Sequence, residues 1–262
     1  MGIRGVSLVG MANDPDLLAR RASSFGEVAR EYAEHRPDYP PYGIAWALAG
    51  CAHAVRDVLD LAAGTGALTR GLVATGHRIT AVEPDDQMRA ELSRRVPEVP
   101  ALAGTAEEIP LPDNSTDAVM VGQAFHWFDP ERALTEIARV LRPGGALGLL
   151  WNGEDDSVGW VRELVRLNTS SVSRKSRTMN ELPTHPSFGA FEERAFPHSQ
   201  RRTAESLTAT IGTHSHTTVA TAQERTEVLS RVRSFLDTNP ATAEGEFDLP
   251  LRTLVARATH HP

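Results

Sequence analysis

The chain has 262 residues, 40% hydrophobic and 23% charged, with 27 basic and 34 acidic side chains for a formal charge of -7. That length supports one large domain with a sizeable core, and the balance excludes collagen-like or disordered architectures and argues against a broad basic face for nucleic acid. No run approaches the roughly 20 apolar residues of a bilayer span, so no membrane insertion is expected, and the single cysteine, Cys51, can form neither an intrachain disulfide nor a cysteine-based zinc site, which points to the cytoplasm.

Residues 1–24 read as a polar, partly flexible leader in which either Met1 or Met11 can be the natural start. Helical character over Asp14–Arg30 is broken by Arg36, Pro37, Tyr39, Pro40, Pro41 and Tyr42, and a second helical stretch is expected to reach about Ala54. Short β-rich runs follow at Val58–Leu61, Ile79–Val82, Ala118–Val121 and Ala146–Trp151, separated by segments of helical period. This alternation predicts βαβ units, with parallel strands covered on both faces. The clearest helix carries Ala133, Leu134, Ile137, Ala138 and Leu141 as one apolar stripe. Arg142, Pro143, Gly144 and Gly145 are expected to end it, because proline cannot continue a helix and glycine permits a tight return. Farther on, Gly159–Ser170 reads as helix, Glu192–Thr203 as strand, Ala222–Asn239 as amphipathic helix and Phe247–Ala258 as a closing strand. A single domain over 25–262 is expected: a ligand-binding core over 25–152, then inserted helices, a substrate cap and closing strands over 153–262.

The chemistry concentrates in Val58-Leu59-Asp60-Leu61-Ala62-Ala63-Gly64-Thr65-Gly66-Ala67-Leu68-Thr69. A buried strand runs through a turn of small residues into a helix, so main-chain N–H groups and the helix N-terminus face whatever binds above the sheet. Glu83, at the end of the next strand, can accept both hydroxyls of an adenosine ribose.

With Ile79-Thr80-Ala81-Val82-Glu83-Pro84, this stretch resembles the first two motifs of the class I S-adenosylmethionine-dependent methyltransferases. Gly104-Thr105-Ala106-Glu107-Glu108-Ile109-Pro110-Leu111 is similar to their adenine-facing loop, Asp117–Val121 to their fourth strand, and Val140-Leu141-Arg142-Pro143-Gly144-Gly145 to the helix end before the fifth. Within the class, the type 11 enzymes of the ubiquinone-biosynthesis and trans-aconitate kind are resembled most, through Phe25, Ala29, Tyr32, Arg36, Pro37, Tyr39 and Pro40 and through Gln123-Ala124-Phe125-His126-Trp127-Phe128. Ala62 departs from the family by replacing the first glycine of the turn, which is tolerable if its φ is negative, and Thr105 stands where many relatives have Asp or Asn.

The resemblance implies an α/β fold with a doubly wound, seven-stranded, mostly parallel sheet, lidded by N-terminal helices and helical insertions. It implies S-adenosyl-L-methionine as cofactor, S-adenosyl-L-homocysteine as product, and in-line methyl transfer to a small molecule through a carboxylate, phenol, indole or ring carbon. A monomer or homodimer with no nucleic-acid or membrane partner fits it. Asp60 would orient the turn and the cofactor ammonium. Ala62, Gly64 and Gly66 would present main chain to it, Glu83 and Pro84 would flank the ribose, and Met88, Thr105, Ala106 and Glu107 the adenine. Tyr32 and Arg36 would fold over the methionine end, with Gln123 opposite. Trp127 and Phe128 would present ring faces near sulfonium and acceptor. His126 is either a general base or a loop-shaping hydrogen-bonder. His214 and His216 are candidates for the substrate pocket, and no metal site is expected because an H-x-H pair alone supplies too few ligands.

Two rival readings share part of this pattern. A nicotinamide-dependent oxidoreductase would use the same turn and acid, but the sole lysine, Lys175, has Ser171 four residues earlier and so makes no Tyr-x-x-x-Lys pair. A non-catalytic domain keeping S-adenosylmethionine as a sensing ligand is the other.

Overall fold

The structure, a computed structural model, describes residues 37–168, 182–212 and 222–261. The leader, the helix expected before Arg30, Tyr32, Arg36, His214 and His216 lie outside the described residues.

Helix α1 spans Pro41–Leu48. Proline at its first position lacks an N–H that the helix would leave unbonded anyway, so the Pro-rich stretch starts this helix. It stops at Leu48, short of the expected Ala54, where Gly50 and Cys51 close turns onto Ala47 O and Leu48 O. The parallel core follows as β1 Asp57–Leu61, α2 Ala67–Val73, β2 Arg78–Val82, α3 Asp86–Arg95, β3 Ala101–Leu102, β4 Thr116–Gly122, α4 Pro130–Val140 and β5 Leu141–Glu154. After it come α5 Gly159–Asn168, β6 Glu192–Thr203, α6 Ala204–Gly212, α7 Ala222–Thr238 and β7 Glu246–Thr259.

Seven strands form one sheet in the order β3-β2-β1-β4-β5-β7-β6. The pairings among β3, β2, β1, β4 and β5 are parallel, whereas β7 runs antiparallel to both β5 and β6. The expected mostly parallel, doubly wound α/β sheet is therefore what the chain forms.

One boundary is corrected. Arg142, Pro143, Gly144 and Gly145 do not separate helix from strand; they already belong to β5, which starts at Leu141 directly after the helix. Gly144 takes a φ of 80°, and the Arg142 guanidinium bridges Asp117 at 2.8 Å and Asp57 at 3.1 Å while donating to Ser115 O at 2.8 Å. This network ties the amino ends of β1, β4 and β5 together at the end of the sheet opposite the glycine-rich turn.

Three apolar clusters fill the molecule. Helices α1, α2 and α3 pack Ile44, Leu68, Leu72 and Leu92 onto Val58, Ile79, Met120, Leu150 and Val255. On the other face, α4 seats Ala133, Leu134 and Ile137 against Val119, Val121, Leu147 and Leu149, and so its apolar stripe is the core face expected. The third cluster stands where β5 and β7 overrun the parallel strands. Phe247, Leu249 and Leu251 there meet Leu164 of α5, Leu207 and Ile211 of α6, and Val232 and Leu236 of α7.

Candidate functional site

Open parallel sheets bind ligands at the carboxyl ends of their strands, where helix N-termini converge, and the motif residues gather there. The turn after β1 places three alternate residues in the left-handed region: Ala62 at φ 56°, Gly64 at 57° and Gly66 at 85°. The condition under which alanine would sit in this turn without strain, a negative φ, is thus not met. The turn is fixed on both sides, by Ala63 N donating to Val82 O and Gly66 N to Ala63 O, each at 3.0 Å, and this over-determined geometry holds Ala62 in a conformation costing about 1 to 2 kcal/mol for a residue with a Cβ. Ala62→Gly is accordingly expected to stabilise the fold by about 1 kcal/mol, read as a higher denaturant midpoint with an unchanged slope.

Gly64 and Gly66 serve different ends. A Cβ on Gly66 would lie 3.1 Å from Leu92 Cγ, so this glycine lets α3 approach the turn, whereas a Cβ on Gly64 would meet only Met88 Sδ, at 3.9 Å, in otherwise open space. Met88 itself is buried. It follows the N-cap of α3, where Asp85 Oδ1 accepts from Gln87 N and Met88 N at 2.9 Å.

Glu83 spans from the end of β2 to the turn. Its Oε2 accepts from Gly64 N at 2.8 Å and its Oε1 from Asp85 N at 2.9 Å, leaving each oxygen a lone pair for a further donor. Burial pushes its carboxyl above the ordinary value, opposed by those two N–H groups. Asp60, at 0% exposure, is more extreme. Thr69 Oγ1 donates to its Oδ2 at 2.6 Å, while Oδ1 is buried without a hydrogen-bond partner among the described residues. Desolvation first of all, aided by the nearby Glu83 charge and opposed by Thr69, raises the Asp60 carboxyl to about 7.

The loop after β3, expected to face the adenine, is a braced structure. Thr105 and Glu108 form an isolated antiparallel bridge, Ala106 is buried, and Glu107 Oε1 accepts from Asp129 N at 2.9 Å. Arg139 of α4 donates to Ile109 O and Leu111 O at 2.9 and 2.8 Å. The side chain of Glu107 is therefore engaged in tying this loop to the start of α4.

After β4, Gln123 also has a left-handed main chain, at φ 59°. Its N–H donates to Leu150 O at 2.9 Å and its Nε2 to Asn152 O at 2.7 Å. A 3-10 turn over Phe125–Trp127 then buries Phe125, whose ring meets Phe128 at 5.6 Å, and leaves His126 exposed, its ring 4.8 Å from that of Trp127. Sequence reasoning quoted two further contributors within its motifs but gave neither a site role. Thr69, on the first turn of α2, is the hydroxyl serving Asp60, and its nine-residue spacing from the acid is the available signal. The strap Pro37–Pro40 is the other. Tyr39 is buried, and a Cβ on Gly122 would fall 2.6 Å from its hydroxyl oxygen, while Asp38 pairs with Arg70 of α2.

The arrangement suits an adenosyl ligand. It offers open space beside a glycine main chain, a buried carboxylate with spare lone pairs for vicinal hydroxyls, and a buried carboxylate oxygen, without a partner among the described residues, suited to a cationic group. A methyltransferase-domain family matches residues 59–149. An uncharacterised methyltransferase of Mycobacterium bovis is 44% identical over 238 residues, covering 90% of this chain and 95% of the relative. An uncharacterised methyltransferase-like protein of Schizosaccharomyces pombe is 34% identical over 216 residues, covering 80% and 84%. Among solved structures, one assigned as a type II methyltransferase from Anaeromyxobacter dehalogenans aligns at a TM-score of 0.63 and 25% identity over 86% of this chain and 97% of that one. The fold is shared as well with a Haemonchus contortus phosphoethanolamine N-methyltransferase in complex with S-adenosylhomocysteine, at a TM-score of 0.51 and 16% identity over 94% and 59%.

Proposed function

We propose, from the premise that the chain belongs to the class I S-adenosylmethionine-dependent methyltransferases of the type 11 family, that its acceptor is a small molecule methylated at a carboxylate, phenol, indole or ring carbon. Family membership sets aside the oxidoreductase and sensor readings. The observation that carries the donor site is Glu83, whose two oxygens are held by Gly64 N and Asp85 N with lone pairs to spare. In this reading Glu83 takes the ribose hydroxyls, Gly64 and Ala62 lie along the methionine portion, Met88 and Ala106 border the adenine, and Asp60 Oδ1 answers the cationic end. Tyr32, Arg36, His214 and His216 stay proposed contacts from outside the described residues.

When bound, S-adenosylmethionine supplies a methyl group activated by a positively charged sulfur. The chain's task is alignment and exclusion of water, and such positioning contributes on the order of 7 to 11 kcal/mol. Trp127 and Phe128, half-buried beside the end of β4, present aromatic surface to the acceptor and close the site against water. His126, exposed on the 3-10 turn, is the residue able to take a proton from an O–H or N–H acceptor, a role typically contributing about 10² to 10⁴ in rate. His126→Ala is thus expected to slow turnover by about 10² or more and to leave S-adenosylhomocysteine affinity unchanged, as measured by single-turnover assay and calorimetry on the same preparation.

The acceptor class is tested by incubating the protein with methyl-labelled donor and a panel of small carboxylates, phenols, indoles and amines. Label transferred to a small molecule supports the reading. Transfer only to protein or nucleic acid overturns it.

A further inference from the structure

Asn152, the residue after the apolar run of β5, is joined to three separate segments at the rim carrying the candidate site. Its main-chain carbonyl accepts from Gln123 Nε2 at 2.7 Å. Its side-chain nitrogen donates to Pro37 O at 3.2 Å and Asp38 O at 3.3 Å. Its Oδ1 accepts from the hydroxyl of Thr253 on β7, a residue at 0% exposure.

A threonine hydroxyl has one hydrogen to give. Because that hydrogen goes to Asn152, the 3.0 Å contact between Thr253 Oγ1 and His198 Nε2 makes the imidazole the donor. Hydrogen bonds then run one way across the sheet, from His198 to Thr253 to Asn152 to the strap. A reversed amide would set Oδ1 against the Pro37 and Asp38 carbonyl oxygens, so those acceptors fix the amide orientation, and Thr253, donating to Oδ1, holds the side chain in place as it grips the strap.

We propose that Asn152, its Oδ1 held by Thr253, is a positioning residue for methyl-donor binding, joining the Pro37–Pro40 strap and Gln123 into one wall at the carboxyl ends of β4 and β5. The strap is held at its far side by the Asp38 pair with Arg70 and by the Tyr39 ring over Gly122; Asn152 supplies the anchor on β5. The inference rests on the methyl-donor reading above.

The test is calorimetric titration of S-adenosylhomocysteine into the full chain and its Asn152→Asp, Thr253→Val and Thr253→Ser variants, with thermal unfolding of each. Asn152→Asp keeps the acceptor for Thr253 but turns a carboxylate oxygen toward two carbonyls. Affinity is expected to fall about tenfold or more in Asn152→Asp and by a smaller factor in Thr253→Val, and to be retained in Thr253→Ser. Should Asn152→Asp fail to fold, the comparison of Thr253→Val with Thr253→Ser decides alone. Lower unfolding temperatures at unchanged affinity would assign the network to stability only and overturn the proposal, as would equal affinity and stability throughout. If the parent chain takes up no S-adenosylhomocysteine at millimolar concentration, the methyl-donor reading itself falls, and this one with it.

Discussion

Glu83→Ala is expected to weaken S-adenosylhomocysteine binding by about 100-fold or more. A carboxylate accepting from two ribose hydroxyls makes two charge-assisted hydrogen bonds, each contributing about 1.5 to 3 kcal/mol, and each 1.4 kcal/mol is about a factor of ten. The variant also releases Gly64 N and Asp85 N, which Glu83 holds at 2.8 and 2.9 Å, and so loosens the turn that presents the ligand. Gly64→Val should act equally strongly by another route. A Cβ at this position meets only Met88 Sδ, at 3.9 Å, so the apo core can admit it; the damage comes from forcing a β-branched residue to a φ of 57° and from filling the space left for the donor. Calorimetry together with circular dichroism separates the two variants: both lose affinity, and Gly64→Val loses more stability. Retention of wild-type affinity in either would contradict the placement of the donor.

Asp60→Asn is expected to stabilise the ligand-free protein most strongly above neutral pH. The Asp60 carboxyl is raised to about 7 by burial, far above the roughly 3.9 of an unfolded chain, so the folded state binds this proton more tightly. Below about pH 4 both states keep the proton and the group costs nothing. As pH rises toward 7 the unfolded chain ionises while the folded one does not, and stability falls; above 7 both are ionised and the penalty is constant, at an upper limit of roughly 4 kcal/mol. The asparagine variant removes that dependence, so its gain in unfolding temperature over the parent should be larger at pH 8 than at pH 5. A constant difference across that range would show that Asp60 does not titrate there. The same residue predicts tighter S-adenosylhomocysteine binding as pH rises through 7, with proton release visible as a buffer-dependent binding enthalpy.

Much of this was legible in the sequence because it is local. The run from Asp60 to Gly66 and the acid at Glu83 belong to adjacent βα units, and the apolar periods of β1, β2, β4 and α4 are short-range signals. What escaped depended on distant partners. Strand β5 begins at Leu141 because Arg142 is drawn into a network with Asp57 and Asp117, 85 and 25 residues away. Two-residue β3 has no period to read. Ala62 adopts a φ that its own side chain disfavours because Val82, on the next strand, accepts from Ala63. The connections of Asn152 have no local signal and arise only when β7 lies beside β5.

The overrun of β5 and β7 past the parallel strands gives the molecule a cantilever. The helices α5, α6 and α7 pack on ribbon that hydrogen-bonds straight back into the central sheet, with Asn152 paired to Thr253 and Glu154 to Leu251, so in the proposed reading the part that would face the acceptor shares one continuous sheet with the part that would hold the donor. Natural variation can exchange those helices while the beam beneath keeps its register. New acceptors can then be recruited by redecorating one end of a fixed rail, with the methyl-donor half inherited intact.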